Sequence, residues 1–272
     1  MIKVGTLMTP WSKLYGIYTQ QELKKEANLD SQIVYYRSDK DLFEALLLGE
    51  IQLTPKGLKD LSATLPEGIN IAALSDRGVV ANTLFLSIKN KEENNLFGLK
   101  SNAKVWVHSE INRAQMQTFR DDLVFEVKDL SPMEAIDALR DDTYDACVLT
   151  AATIDIVGLN HDEFQTVQFS PKEFITEPGQ AVVTFLTAEE DIKTRRTLKQ
   201  FHHKNVALVT NVERQLKRLF NDKDVAAYCQ HDAGGNYHLW AAALINGKLK
   251  RTRLSHSTSF ELAERCFEAL NK

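Results

Sequence analysis

Cysteine is scarce in this sequence, with three residues among 272 and no C-x-x-C pair. Cys147, Cys229 and Cys266 are odd in number and far apart, which argues against a disulfide framework and against a zinc ribbon. A reducing compartment suits such a chain best, so we expect a cytoplasmic location.

The sequence also lacks an excess of positive charge, long apolar runs and glycine-rich nucleotide motifs. The formal net charge of −4 argues against nucleic acid as the main partner, because phosphate binding needs a basic excess. No segment approaches the ~18 apolar residues of a membrane span, and the first residues do not resemble a signal peptide, so we expect no membrane partner. The patterns G-x-G-x-x-G, G-x-x-x-x-G-K-[ST] and H-E-x-x-H are absent, which removes motif support for nucleotide binding and zincin chemistry.

Short apolar strands alternate with helical segments through residues 1–180. The segments "IKVGT", "QIVYY", "NTLFLSI" and "KVWVHS" are typical of strands, and "KDLFEALLLG" repeats its apolar residues at helical spacing. Ser38 and Ser131 are placed to cap helices, the second with Glu134 in a capping box. This alternation predicts an α/β protein whose parallel or mixed sheets are covered by helices on both faces.

The last third of the chain has a different pattern. Two helical segments precede "VAAYCQHDAGGNYHLWAAALINGKLKRTRLS", which predicts a three-stranded antiparallel sheet. Gly234-Gly235 and Asn246-Gly247 are the expected two-residue turns. Thr258 to Glu261 fits a capping box that opens a final helix to Leu270. These elements predict a small α+β domain after the α/β body.

One metal site can be constructed on this sheet. If Gly234-Gly235 is a two-residue turn, His231 pairs with His238, and Cys229 lies on the same face opposite Trp240. Three such ligands could hold zinc. The alternative is a half-buried strand face, which we favour because a lone cysteine is commonly a small buried hydrophobe. We therefore expect no metal.

Several fragments in collinear order resemble the hydroxymethylbilane synthase family, also called porphobilinogen deaminase. "IKVGT" resembles its opening I-x-x-G-T-R segment. "ALLLGEIQLTPKGLKDLSATLPEG" is similar to A-L-L-x-G-x-x-D-I-A-V-H-S-x-K-D-x-P-x-x-x-P-x-G. "YDACVLTAATIDIVGL" resembles Y-D-A-x-x-L-A-x-A-G-L-x-R-L-G-L, and "EPGQAVV" resembles P-G-Q-G-A. "FHHKNVALVTNVERQLKRLF" is similar to the helix that precedes the family's cofactor loop.

The resemblance implies two α/β domains like type II periplasmic binding proteins, with mixed sheets and a cleft between them. A small C-terminal α+β domain with a three-stranded antiparallel sheet follows. We expect residues 1–78 and the return segment 182–203 to form the first domain, 79–181 the second and 204–272 the third. We also expect a monomer.

The resemblance also implies the chemistry of a transferase. In the family, a cysteine on a loop of the third domain carries a covalent dipyrromethane, to which porphobilinogen units are added with loss of ammonia. The growing chain presents many carboxylates, which guanidinium groups pair best, and a carboxylate stabilises the cationic pyrrole. Here the matching catalytic carboxylate is Asp60. The expected ligand-binding residues, for a small anionic ligand in the cleft, are Thr6, Thr9, Lys59, Ser109 and Arg113.

The sequence departs from the family where the family binds carboxylates and its cofactor. Five positions of family arginines hold other residues: Leu7, Ala114, Asp129, Ala135 and Ile156. Asp224 stands at the position of the cofactor cysteine, and Cys229 could replace it only after a five-residue shift. We therefore predict a divergent member that lacks the dipyrromethane cofactor and standard synthase activity. An active enzyme with its primer on Cys229, a small-ligand-binding module and a regulator of a true synthase remain alternatives.

Overall fold

The computed structural model describes residues 1–62, 64–92, 94–152 and 163–272. These residues form two compact units. The first consists of Met1–Gly78 and Gly179–Asn211, and the second of Val79–Pro178 and Val212–Lys272. The sequence-based boundaries, including a separate third domain, stay a prediction.

The strands and helices of the described residues follow the expected alternation. The strands are β1 Ile2–Leu7, β2 Ser31–Tyr36, β3 Thr54–Gly57, β4 Ile69–Leu74, β5 Asn82–Ser87, β6 Lys104–Val107, β7 Val124–Val127, β8 Ala146–Thr150, β9 Phe164–Gln168, β10 Val183–Ala188, β11 Val225–His231, β12 Tyr237–Ile245 and β13 Lys248–His256. The helices are α1 Pro10–Ala27, α2 Asp39–Leu47, α3 Glu110–Phe119, α4 Pro132–Arg140, α5 Ile192–Leu198, α6 Lys204–Leu219 and α7 Leu262–Asn271.

The first unit contains a parallel pair, β1 with β2, and an antiparallel sheet of order β3-β10-β4. A parallel bridge between Val4 and Leu53 connects β1 to the residues before β3. Helix α2 packs its apolar face, including Leu42 and Leu46, into a core with Ile51. This core supports β1 and β3, the two strands that border the candidate site.

The second unit contains a five-stranded mixed sheet of order β7-β6-β8-β5-β9 and an antiparallel sheet of order β11-β12-β13. Strand β13 is therefore an edge strand. Trp106, Ala135 and Ile136 pack in a core on one side of the mixed sheet. The mixed α/β architecture and the C-terminal three-stranded sheet are confirmed.

Side-chain caps fix the helix starts where the sequence indicates them. Ser38 caps α2, and its side chain accepts the N–H of Asp41. Ser131 and Glu134 form the expected capping box at the start of α4. The capping box expected at Thr258 to Glu261 is wrong. The Thr258 hydroxyl accepts the N–H of Phe260 in a tight turn, and α7 begins only at Leu262.

The register of the C-terminal sheet also differs from the expected one. The link between β11 and β12 has five residues, 232–236. The Asp232 carboxylate accepts the N–H of Asn236 at 2.8 Å, and the N–H of Asp232 donates to the Asn236 carbonyl at 2.9 Å. His238 therefore lies opposite Gln230, and Cys229 lies opposite Leu239 rather than Trp240. The zinc arrangement considered from the sequence is thus wrong. Within the described residues, no group of three or more His, Cys, Asp or Glu side chains is suited to a metal.

Among the helices in the described parts of the chain, none combines the length and the apolar composition that a membrane crossing requires.

Candidate functional site

A small pocket in the first unit contains the predicted catalytic carboxylate. Asp60 ends a 3-10 turn, Leu58–Asp60, that directly follows β3. The pocket has a volume of about 80 Å³. Its walls come from the end of β1, the first turns of α1, one residue of α2 and the end of β3. The lining residues are Thr6, Leu7, Trp11, Ser12, Tyr15, Leu42, Pro55, Lys56, Gly57 and Asp60.

Two predicted binding residues, Thr6 and Thr9, shape this pocket through the backbone of α1. The Thr6 hydroxyl donates to the carbonyl of Ser12 at 2.5 Å. Thr9 caps α1, accepts the N–H of Ser12 at 3.3 Å and donates to the Ser12 hydroxyl at 2.9 Å. Both hydroxyl groups therefore hold the first turn of α1 against the end of β1. Thr6 lines the pocket directly, whereas Thr9 acts through Ser12.

The charged groups of the pocket have partners of opposite sign. The Lys59 ammonium lies 2.9 Å from Oδ1 of Asp60. Lys56 pairs with Asp39 at the start of α2, and its ammonium also lies 5.0 Å from the centre of the Phe43 ring. The pocket therefore presents a carboxylate and an ammonium whose charges are already compensated.

Tyr15 contributes a neutral hydroxyl group to the same pocket. Burial, reinforced by the negative charge of Asp60, raises the pKa of Tyr15 to about 12, although Lys59 and a hydrogen bond with Trp11 act in the opposite direction. The indole of Trp11 can only donate, so the Tyr15 oxygen accepts this bond. The two rings meet edge to face with centroids 6.1 Å apart. Tyr15 is thus a protonated phenol at neutral pH.

Gly57 leaves space between Asp60 and Tyr15. Its φ of −62° is available to any residue, so the backbone does not require a glycine. A Cβ at this position would lie 2.5 Å from Oδ2 of Asp60 and 2.9 Å from the Tyr15 oxygen. The carboxylate and the phenol therefore converge on the space that the missing side chain leaves open.

The other two predicted binding residues, Ser109 and Arg113, lie in the second unit on α3. Ser109 caps this helix, and its side chain accepts the N–H of Asn112 at 3.4 Å. Arg113 donates to Glu110 at 2.6 Å and to Gln117 at 3.1 Å. The guanidinium is therefore held by its own helix. The predicted site residues thus form two groups, one in each unit.

The residues at family arginine positions occupy very different environments. Leu7 lines the pocket beside Asp60. Ala114 and Ala135 are buried, and Ala135 is 0% exposed in the core around Trp106. Asp129 is exposed between β7 and α4. Ile156 lies outside the described residues.

The position of the family's cofactor cysteine lies on the surface. Asp224 is exposed in the turn before β11, with a φ of 48° and its carbonyl accepting the N–H of Leu244 at 3.0 Å. Cys229 lies within β11 and is 1% exposed. Its N–H donates to Oε1 of the buried Glu213 at 2.8 Å.

The remaining two thiols are buried as well. Burial raises the pKa of the Cys147 thiol well above its usual range and that of Cys266 to about 12. None of the three cysteines forms a disulfide. No cysteine of this chain therefore presents a reactive thiolate at the surface.

Three pocket residues, Trp11, Tyr15 and Lys56, were not among the residues predicted from the sequence. A weak signal for the first two exists, because Trp11 and Tyr15 are four residues apart on a helix that follows the "IKVGT" strand, and such residues share a face. Lys56 precedes the glycine of "KGLKD", close to the recognised Lys59-Asp60 pair.

Comparison with known proteins identifies the class to which this fold and pocket belong. The family model described as "Porphobilinogen deaminase, dipyromethane cofactor binding domain" matches residues 23–196. The chain belongs to the porphobilinogen deaminase family.

Individual porphobilinogen deaminases share modest sequence identity with this chain. The porphobilinogen deaminase of Sulfurimonas denitrificans is 29% identical over 177 residues, which are 64% of this chain and 54% of that protein. The enzyme of Fusobacterium nucleatum is 26% identical over 209 residues, covering 75% of this chain and 67% of the relative. The enzyme of Oceanobacillus iheyensis is 25% identical over 236 residues, covering 84% and 73%. The match thus spans about half the length of the first relative and about two thirds to three quarters of the other two.

Solved structures of binding proteins resemble the chain more distantly. A nutrient binding protein from Burkholderia cenocepacia bound to methionine has a TM-score of 0.48 at 17% identity, covering 76% of this chain and 93% of that one. A periplasmic substrate-binding protein of an ABC transporter from Coxiella burnetii has a TM-score of 0.45 at 17% identity, covering 82% and 98%.

Proposed function

We propose that this chain is a ligand-binding member of the porphobilinogen deaminase family that lacks the covalent dipyrromethane and the standard synthase activity. The observation that carries the proposal is the burial of all three thiols. A thioether to a primer forms only from an accessible thiolate, and Asp224 stands in the exposed turn where the family pattern has its cysteine.

Cys229 is a poor substitute anchor for physical reasons. It lies in the middle of β11, paired with Leu239 of β12, and its N–H is bound by Glu213. Release of this residue would break the strand pairing and remove the hydrogen bond from its N–H to the buried Glu213, and a bond of this kind to a charged group contributes about 1.5–3 kcal/mol. A bulky primer on this thiol has no room while the strand is folded.

The ligand that we propose is a single porphobilinogen-like molecule, which combines an amine, a pyrrole N–H and carboxylates. Asp60 supports this assignment because it can accept N–H bonds, and Lys56 and Tyr15 can donate to a carboxylate. A site for one water needs roughly 10–15 Å³. The pocket of about 80 Å³ therefore suits one substituent or a small ring, and not a chain of several rings.

Intact-mass spectrometry of the purified protein tests the missing cofactor. We expect the wild type and Cys229→Ala to have the masses of their polypeptides. A mass increase by one dipyrromethane in the wild type that disappears in Cys229→Ala would establish the alternative, an active enzyme with a repositioned primer. Porphobilinogen consumption, assayed beside a family enzyme with an intact cysteine, should be absent.

Calorimetric unfolding with added porphobilinogen tests binding. A ligand that binds only the folded state stabilises it by about 1.4 kcal/mol when its concentration is ten times Kd. We expect the melting temperature to rise with porphobilinogen concentration, and an unchanged melting temperature at millimolar ligand would refute the proposed ligand. A cytoplasmic location is part of the proposal, because three cysteines without a disulfide suit a reducing compartment.

A further inference from the structure

We propose that Tyr15 supplies the hydroxyl group that contacts the ligand beside Asp60, and that it replaces a serine of the family pattern. The inference rests on the proposed function and names a specificity-determining residue for the same site. In the pattern H-S-x-K-D, the final pair matches Lys59 and Asp60, so the serine position falls on Gly57. This chain therefore lacks the hydroxyl group that a serine at residue 57 would bring beside Asp60.

The structure supplies a hydroxyl at the same place from another element. The Tyr15 oxygen lies 2.9 Å from where the Cβ of residue 57 would be, and Oδ2 of Asp60 lies 2.5 Å from it. A serine at residue 57 and a tyrosine at residue 15 would thus compete for one space. The absence of a side chain at residue 57 therefore leaves room for the Tyr15 hydroxyl group beside Asp60.

Close packing of α1 on β1 brings Tyr15 to this position. Gly16 allows the approach, because a Cβ there would lie 3.3 Å from the Thr6 methyl group. The Thr6 hydroxyl then donates to the carbonyl of Ser12, which fixes the helix above the strand end. Tyr15 faces β3 as a result, with its oxygen next to Gly57.

The protonation and bonding of Tyr15 suit a donor. A neutral phenol can donate its proton and accept a hydrogen bond at the same time. Burial and Asp60 raise its pKa to about 12, which keeps the proton on the phenol at any physiological pH. Asp60 accepts and Tyr15 donates, so the pocket selects a ligand group that presents an N–H next to a carboxylate or carbonyl oxygen.

The test is porphobilinogen binding by isothermal titration calorimetry to the full chain and its variants. Tyr15→Phe removes the hydroxyl group and retains the ring that packs on Trp11. We expect binding about tenfold weaker, as for the loss of one hydrogen bond to a charged or polar ligand group. Tyr18→Phe, on the same helix but not among the pocket residues, is the matched control and should bind like the wild type.

A second pair of variants distinguishes the effect of the hydroxyl group on binding from the effect of packing at residue 57. Tyr15→Phe combined with Gly57→Ser returns a hydroxyl from the family's own position, and we expect it to recover most of the lost affinity. Tyr15→Phe combined with Gly57→Ala adds the Cβ without the hydroxyl and should stay weak. Melting temperatures of the unliganded variants, measured in parallel, confirm that each is folded.

The outcomes distinguish failure of the proposed binding function from failure of the Tyr15 assignment. If the wild type does not bind porphobilinogen, the proposed function fails and the Tyr15 assignment fails with it. If the wild type binds and Tyr15→Phe binds equally well, only the Tyr15 assignment is overturned. Equal recovery by the serine and alanine double variants also overturns it, because the hydroxyl would then be irrelevant.

Discussion

Substituting arginine for Ala135 should strongly destabilise the protein, although the family pattern has arginine at this position. Ala135 is 0% exposed and packs with Phe85, Trp106 and Ile136 in the core of the second unit. Overpacking of such a core costs about 1–3 kcal/mol, and an unpaired buried charge costs several kcal/mol more. A combined loss of roughly 5 kcal/mol equals much of the 5–15 kcal/mol that stabilises an ordinary domain.

Urea denaturation followed by circular dichroism measures this loss. The matched control is Asp129→Arg, because Asp129 also stands at a position where the family has arginine and its side chain is exposed. We expect this control to change the free energy of unfolding by no more than about 0.5 kcal/mol. The reasoning is refuted if Ala135→Arg folds with wild-type stability, since the core around Trp106 would then accommodate a guanidinium.

Three further predictions concern thiols and titrating groups. When the folded protein is treated with a thiol-specific reagent, all three cysteines should be unreactive. The variant Asp224→Cys should add one fast-reacting thiol. A fast reaction in the wild type would contradict the burial of the three cysteines. Asp60→Asn should lower the pKa of Tyr15 from about 12 towards the usual tyrosine value, because the negative charge of Asp60 is one cause of the elevation. Phenolate absorbance follows this titration. An unchanged pKa would show that Tyr15 and Asp60 titrate independently. His238, together with the N–H of Asn236, lowers the pKa of Asp232 to about 2, so this carboxylate stabilises the fold above pH ~4 and loses the effect as the pH falls towards 2. Asp232→Asn should therefore flatten the acid limb of stability against pH, and an identical acid limb in both proteins would contradict this origin.

Local sequence signals predicted the elements well because their causes are local. Ser38 and Ser131 cap helices through bonds that span three residues, and the sequence contains both partners. The Asn246-Gly247 turn forms as expected because both residues adopt positive φ.

The loop between β11 and β12 was mispredicted because the side chain of Asp232, and not the two glycines, determines its conformation. Gly234-Gly235 favours a two-residue turn, but Asp232 accepts the N–H of Asn236 and widens the loop to five residues. The register differs from the predicted one by a single residue, so every residue of β12 has a different pairing partner and Cys229 lies opposite Leu239 instead of Trp240.

The candidate site was only half predictable for a similar reason. Asp60 and Lys59 are adjacent in sequence and match a family pattern, so the pair could be recognised. Tyr15 and Gly57 are 42 positions apart, and only the packing of α1 against β3 brings them together. A single sequence carries no record of that contact.

The edge strand β13 has a consequence for the behaviour of the protein at high concentration. It carries four cationic residues, Lys248, Lys250, Arg251 and Arg253, whose side chains are divided between the two faces of the sheet along this edge. Addition of a second copy along this edge would bring two such rows of like charge together, which disfavours strand-to-strand aggregation.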